Sequence, residues 1–165
     1  YDYLHEKMYD YHVLQADETP VLVNRDGRPA GSKSYMWVYR TGRMYTDRQI
    51  VLYEYQRTRN ASHPREFLKD FSGICVTDGY QVYHTIENER EDLVIAGCWS
   101  HARRRFDEAV KALPKAKQKD SRAYLALTMI QAIYREEKQL KELPAQERQN
   151  RRQLNVKPLV EAYFV

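Results

Sequence analysis

Apolar positions change their spacing several times along this chain, and each change predicts a new element. Tyr1, Leu4 and Met8 recur at helical spacing and predict the tail of an amphipathic helix over 1–11. HVLQAD (12–17) reads as a short central strand closed by Asp17, followed by a turn at ETP (18–20). A further strand starting near Val21 is expected to run toward the polar connection NRDGRPAGSKS (24–34). SYMWVYRTG (34–42) and QIVLYEYQRT (49–58) are rich in aromatic and β-branched residues. The short polar RMYTDR between them suits an antiparallel hairpin. The period then lengthens. HPREFLKDF (63–71) carries a proline near its start and Phe67, Leu68 and Phe71 at helical spacing. GICVTD (73–78) predicts a fourth strand, QVYHTI (81–86) a short helix or turn, and DLVIAGCWSH (92–101) a fifth strand. ARRRFDEAVKAL (102–113) places Phe106, Val110 and Leu113 on one helical face. Residues 120–143 read as one long helix with a stripe of Tyr124, Leu127, Ile130 and Tyr134, and with Glu137 and Lys141 paired on its wet face. LPAQERQNRRQ (143–153) leads into a last helix.

Three meandering antiparallel strands followed by helix–strand–helix–strand–helix define an α/β chain. A strand reached through a helix returns parallel by a right-handed crossover. The expectation is therefore a five-stranded mixed sheet flanked by helices, in the order of ribonuclease H-like folds, with a helical insertion after the fifth strand. Residues 1–11 would be the end of a preceding helix, 12–113 a partial ribonuclease H-like core, and 114–165 the insertion and the start of a truncated C-terminal part. Both ends read as cut, the last at the unfinished apolar run VKPLVEAYFV.

The 165 residues suffice for one domain with a core, and 42% hydrophobic with 30% charged residues is an ordinary globular balance. No apolar run approaches the ~20 residues that span a bilayer, and YDYLHEKMYDYH has no signal-peptide character. Cys75 and Cys98 lie in apolar strand-like runs, which fits reduced, buried thiols in a cytoplasmic protein better than a disulfide framework. A net charge of +4 permits a polyanionic partner without requiring one. The fourteen tyrosines suit half-buried packing in strands, with base stacking as a second use.

The candidate chemistry sits in GICVTDGYQVYH (73–84), where Asp78 ends a β-branched run and Gly79 follows. Alone, such an aspartate is a turn residue or helix cap. In the expected sheet, however, the first and fourth strands are parallel neighbours about 5 Å apart, so Asp17 and Asp78 would emerge side by side. Two unpaired carboxylates at that separation raise each other's pKa, and a hard divalent cation, magnesium or manganese, removes the conflict. Such a site supports phosphodiester cleavage or transfer, with two metals about 3.5–4 Å apart activating the attacking oxygen and stabilising the leaving one. A third carboxylate is usual. Glu18, Glu108 and Glu161 are the internal candidates, although strand alternation turns Glu18 away from Asp17. Cys98 and His101 have the spacing of half a zinc site, the alternative being a buried thiol and a hydrogen-bonded imidazole. Arg103, Arg104 and Arg105 point in different directions on a helix, so only some can face DNA. Lys33, Arg40, Arg43 and Arg48 lie around the hairpin, as phosphate contacts or as a charged edge that resists aggregation. Trp99 reads as packing rather than a stacking platform.

With these residues in view, the chain resembles bacterial insertion-sequence transposases of the IS66 type. ADETPV carries the family's DET triplet as Asp17, Glu18 and Thr19, and VTDGYQVY its DGY as Asp78, Gly79 and Tyr80. GCWSHARRRFDEA matches C-x-x-H-x-R-R-x-F at Cys98, His101, Arg103, Arg104 and Phe106, and RRQLNVKPLVEAYF is similar to the stretch after the family's helical insertion. The resemblance runs from about residue 10 onward. It implies a DDE-type catalytic core that uses magnesium to nick element ends and join them to target DNA, acting as a homo-oligomer. It implies Asp17 and Asp78 as catalytic metal ligands, with Glu18 and His101 as neighbours of the site; Lys33, Arg103 and Arg104 are the candidates for DNA contact from their charge and position. The family's third acid, a glutamate near an N-x-x-E-R-x-x-R-P string, has no counterpart here. The expectation is thus two-thirds of a site, weak in metal and inactive alone, without the family's N-terminal DNA-binding and zinc-binding segments. The rival expectations are another metal nuclease on the same fold, or a decayed segment that only binds DNA or a transposase partner.

Overall fold

The computed structural model describes residues 1–24 and 26–164; Arg25 of the 24–34 connection and Val165 of the closing apolar run lie outside them. The chain divides into two compact units, Tyr1–Cys98 and Trp99–Val165. The first holds a five-stranded sheet of β1 (Val13–Leu22), β2 (Lys33–Thr41), β3 (Val51–Gln56), β4 (Gly73–Thr77) and β5 (Leu93–Gly97), with helices α1 (Asp2–Met8), α2 (Ser62–Phe67) and α3 (Gln81–Glu87). Its spatial order is β3-β2-β1-β4-β5. β1–β2 and β2–β3 pair antiparallel, while β1–β4 and β4–β5 pair parallel. The mixed sheet expected from the element order is present.

Period-two burial explains how the sheet is held. Leu14 and Ala16 of β1, Trp37 and Tyr39 of β2, Leu52 of β3, Cys75 of β4 and Leu93 and Ile95 of β5 turn to one face. They meet Met8, Phe67, Leu68, Phe71, Tyr83 and Ile86 from the helical segments in one buried cluster. Tyr39 stacks on Phe67 with ring centroids 3.4 Å apart and planes 6° from parallel. Such aromatic contact adds to the area each ring removes from water. Two of the tyrosines, Tyr39 and Tyr83, are therefore fully buried rather than half-buried. At the start of β4 the backbone approaches very closely: Ile74 N donates to His12 O at 2.9 Å, and Gly73 sits at φ +146°. A Cβ there would lie 2.5 Å from His12 O.

The second unit is helical: α4 (Trp99–Lys111), α5 (Lys115–Gln118), α6 (Arg122–Gln139), α7 (Ala145–Arg151), a π-helical turn (Arg152–Val156) and α8 (Lys157–Tyr163). Ser121 caps α6 by accepting from Tyr124 N. Ile133, Leu140 and Val156 form its buried cluster, with Trp99, Leu143, Leu159 and Val160 packed on it. The widened turn has a cause in the sequence. Pro158 has no amide to donate, and in a regular helix its ring would collide with the carbonyl four residues back. Loosening the preceding turn to π geometry relieves that clash.

Several expectations need correction. The first strand does not close at Asp17 with a turn at 18–20; it runs on to Leu22 because β2 keeps pairing with it as far as Leu22↔Lys33. The fifth strand stops at Gly97, and Trp99–His101 begin α4 instead. Tyr1 and Leu4 are exposed, and only Met8 of α1 is buried. On α6 the buried stripe is Leu127, Ile130 and Ile133, with Tyr124 and Tyr134 outside it. Glu137 pairs with Arg152 at 2.7 Å rather than with Lys141, which lies past the end of α6. No helix among the described residues is long and apolar enough to cross a membrane.

The close approach at Gly73 yields a test. Gly73→Ala should destabilise the protein by more than about 2 kcal/mol in chemical denaturation, through backbone strain and collision with His12 O. Gly97→Ala, where a Cβ meets nothing within 4 Å, should stay within about 0.5 kcal/mol of the parent.

Candidate functional site

β1 carries Asp17, and Asp78 directly follows β4. The parallel ladder of the two strands runs Val13↔Ile74, Leu14↔Cys75, Gln15↔Val76, a constant offset of 61. Asp17 and Asp78 stand the same 61 apart, two positions past the last paired residues of that ladder. Asp17 alternates with Val13 and Gln15 on the face opposite the buried cluster, where Arg40 of β2, the partner of Gln15, also lies. Asp78 is the first residue beyond β4. The C-terminal edge of β4 is thus where strand gives way to turn while β1 continues alongside β2.

The turn itself is built by Asp78. Its Oδ1 accepts from Tyr80 N at 2.9 Å, closing an Asx turn, and Gly79 takes φ +84°, a left-handed conformation that side chains disfavour. The turn-residue reading of Asp78 is therefore correct as local structure. Asp17 Oδ1 accepts from Glu18 N at 2.9 Å.

Behind this edge lies a charged cluster that periodicity alone does not reveal. Glu18 shares the core face with Leu14 and Ala16, and its side chain is fully buried. Arg59, from the connection between β3 and α2, meets it with two nitrogens, Nε at 2.7 Å and Nη2, both on Oε1. Tyr83 Oη donates to Glu18 Oε2 at 3.2 Å. Burial pushes the Glu18 carboxyl above the ordinary glutamate range, while Arg59 and Tyr83 pull it back only in part. The Arg59 guanidinium lies 3.7 Å from the centroid of the Tyr80 ring, and Tyr80 Oη donates to Arg59 O at 3.0 Å. The same Nη2 stands 3.9 Å from Asp78 Oδ2. Arg59 was not among the sequence candidates: it lies in a polar connection, and a single arginine after a strand carries no spacing signal.

The other expected residues are distributed as follows. Lys33 begins β2, exposed, opposite Leu22. His101, Arg103 and Arg104 all lie on α4 in the helical unit, with Arg104 exposed and Arg103 half-buried. Glu108 is on α4 and Glu161 on α8, where Lys157 lies 3.7 Å from it. Cys75 is buried, which pushes its thiol up to about 12, and Cys98 is half-buried; both are free thiols. Among the described residues no group of three or more His, Cys, Asp or Glu side chains is placed to share a metal ion.

Comparison with known proteins identifies relatives. The family model described as "Transposase IS66 family" matches residues 1–165. Two proteins of Sinorhizobium fredii (strain NBRC 101917 / NGR234), both described as uncharacterized, are similar. One, y4qI, is 33% identical over 64% of this chain and 21% of its own length; the other, y4jD, is 30% identical over 67% of this chain and 22% of its own length. The chain thus spans about a fifth of either relative. No solved structure matches it.

Removing the cation from the buried pair tests this cluster. Arg59→Ala should cost about 2 kcal/mol at neutral pH, less than for a fully enclosed pair because the Arg59 side chain is 37% exposed. Without Arg59 the folded-state pKa of Glu18 rises further above its unfolded value. The folded state then holds the extra proton, and stability falls as pH climbs from the unfolded pKa through the folded one. Denaturation at pH 4 and pH 7 should therefore show the smaller loss at pH 4.

Proposed function

Because the chain belongs to the transposase IS66 family, we propose that it is part of a catalytic region that cuts and joins DNA strands by metal-dependent phosphodiester transfer, with Asp17 and Asp78 as two of the metal-holding carboxylates. The observation that supports this reading is the parallel β1–β4 ladder from Val13↔Ile74 to Gln15↔Val76, whose offset of 61 is also the separation of Asp17 and Asp78. The sheet order β3-β2-β1-β4-β5, with β2 antiparallel to both its neighbours and the β4 and β5 pairings parallel, is that of ribonuclease H-like nucleases and supports the same assignment.

The residues fit the implied ion in kind. Both donors are hard carboxylate oxygens, which suit magnesium or manganese; Asp17 lies within β1 and Asp78 at the turn directly after β4, both outside the buried cluster. Such an ion, when bound, lowers the pKa of an attacking water or hydroxyl and neutralises charge on the phosphate. The protein's part is to hold the two oxygens. β1, paired on both sides at Leu14 and Gln15, fixes the backbone leading to Asp17, and the Asx turn fixes Asp78. Two carboxylates make an incomplete cage, so a third from elsewhere in the protein is part of this proposal, and these residues alone would bind the ion weakly. A second reading, a non-catalytic segment that binds DNA, is favoured by the positive charge of residues 99–165.

DNA contact is supported by charge distribution. Residues 99–165 carry fifteen Lys and Arg against eight Asp and Glu, a net of +7, whereas residues 1–98 carry twelve against fifteen, a net of −3. The excess is densest between α4 and α6, where Lys115, Lys117, Lys119 and Arg122 are all exposed. Among the described ion pairs none involves these four. A polyanion is the partner that such a face attracts.

Two measurements test these assignments in the full-length protein. Asp17→Asn or Asp78→Asn should lower magnesium-dependent strand nicking by more than about a hundredfold while leaving DNA affinity and thermal stability near the parent's; parent-level nicking removes the assigned roles and leaves the DNA-binding reading. Changing Lys115, Lys117 and Lys119 together to Gln should weaken DNA binding and reduce the slope of log affinity against log salt by about 2–3, measured by fluorescence anisotropy.

A further inference from the structure

Arg59 is held on three sides yet stands just short of the fourth group it faces. Its Nε and Nη2 are fixed by the buried carboxylate of Glu18, its planar face lies 3.7 Å from the Tyr80 ring centroid, and its carbonyl takes the Tyr80 hydroxyl at 3.0 Å. Glu18 in turn is held from α3 by Tyr83 Oη at 3.2 Å. The remaining direction points Nη2 at Asp78 Oδ2, at 3.9 Å. At that distance no hydrogen bond forms, but a full positive charge still faces the carboxylate.

We propose that Arg59 is a positioning residue for the metal-holding carboxylate of Asp78, anchored by Glu18 and clamping the turn that carries Asp78 through Tyr80. This rests on the assignment of Asp17 and Asp78 as ligands. The 3.9 Å gap matters. An arginine at hydrogen-bond distance would occupy the oxygen a cation needs, whereas one held back by Glu18 orients the carboxylate and offsets repulsion from Asp17 without capturing it. Residue types follow from this arrangement. Glu18 is the inward neighbour of Asp17 on β1, so one strand delivers a ligand to one face and the anchor of the other ligand's clamp to the opposite face. Tyr80 offers an aromatic face for the guanidinium and a hydroxyl for the backbone that carries it. A lysine in place of Arg59 would retain charge but lose the planar fork that reaches Glu18 and Tyr80 together.

The test uses manganese(II) alone as the probe, titrated into this chain and followed by paramagnetic broadening of the Gly79 and Tyr80 amide resonances. Arg59→Lys and the double variant Arg59→Gln with Glu18→Gln are compared with the parent. The double variant leaves no unpaired buried carboxylate, so it keeps a folded protein to measure, and thermal unfolding is recorded for each. Both should need about tenfold more manganese for half-maximal broadening, with the amides of β5 unshifted. Binding that is unchanged or tighter in the double variant overturns the proposal, since a cation that merely competes with the metal would tighten binding when removed. Parent-like binding in Arg59→Lys also overturns it, by showing that charge alone suffices. Asp78→Asn separates the levels: if broadening persists there unaltered, the ligand assignment fails and the clamp with it; if broadening is lost there while the Arg59 variants match the parent, only the clamp fails.

Discussion

The arrangement of the sheet unit depends on one pairing, the parallel ladder between β1 and β4. It is short, three residues on each strand, yet it joins the antiparallel meander of β1–β3 to the parallel pair β4–β5. A parallel pairing cannot be made by a hairpin; the intervening chain must cross over, and here α2 provides the crossover. The tight approach of Gly73 to His12 is the local cost of starting that ladder, and it explains why a residue without a side chain stands there. Any slip by one residue would turn Leu14 and Cys75 outward and Gln15 and Val76 inward, so the buried cluster enforces the register.

That enforcement places charge in a particular way. β1 is amphipathic in an uncommon sense, with Asp17 on the face opposite the buried cluster and Glu18 fully buried on the other. Burying a carboxylate is tolerable only with strong partners, and Arg59 and Tyr83 are those partners. The pair therefore ties the connection after β3, the first helix turn after β4 and the middle of β1 to one another through side chains rather than through the backbone ladder. Electrostatics and hydrophobic burial act on the same strand from opposite faces.

Much of the fold was legible because its signals are periodic. Alternation in SYMWVYRTG and the apolar runs GICVT and LVIAG give strands whose order dictates their senses, and Phe67, Leu68 and Phe71 mark the crossover. The misplacements occurred where local pattern was overruled by a partner. Pro20 and the acids before it look like a turn, but β2 extends alongside and keeps them in a strand. CWSH continues an apolar run, yet Trp99 packs with Tyr163 at 5.1 Å inside the helical unit. Asp17 and Asp78 were nominated because strand order and spacing together point at them. Arg59 was not, since its significance comes only from three groups converging in space, at positions 18, 80 and 83, that no window of sequence contains.

The π-helical turn at Arg152–Val156 has a geometric effect on everything that follows it. A turn of this kind accommodates one residue more than an α-turn, and each residue advances a helix by about 100°. The side of the helix that a regular continuation would have turned to water is thereby rotated inward, which is how Leu159 and Val160 come to pack beside Val156 against Ile133 and Leu140. Read as a sequence wheel, the two halves of this helix look out of phase. Shortening the segment by a single residue would press the Pro158 ring back against the carbonyl four residues earlier and misalign the apolar stripe at the same time.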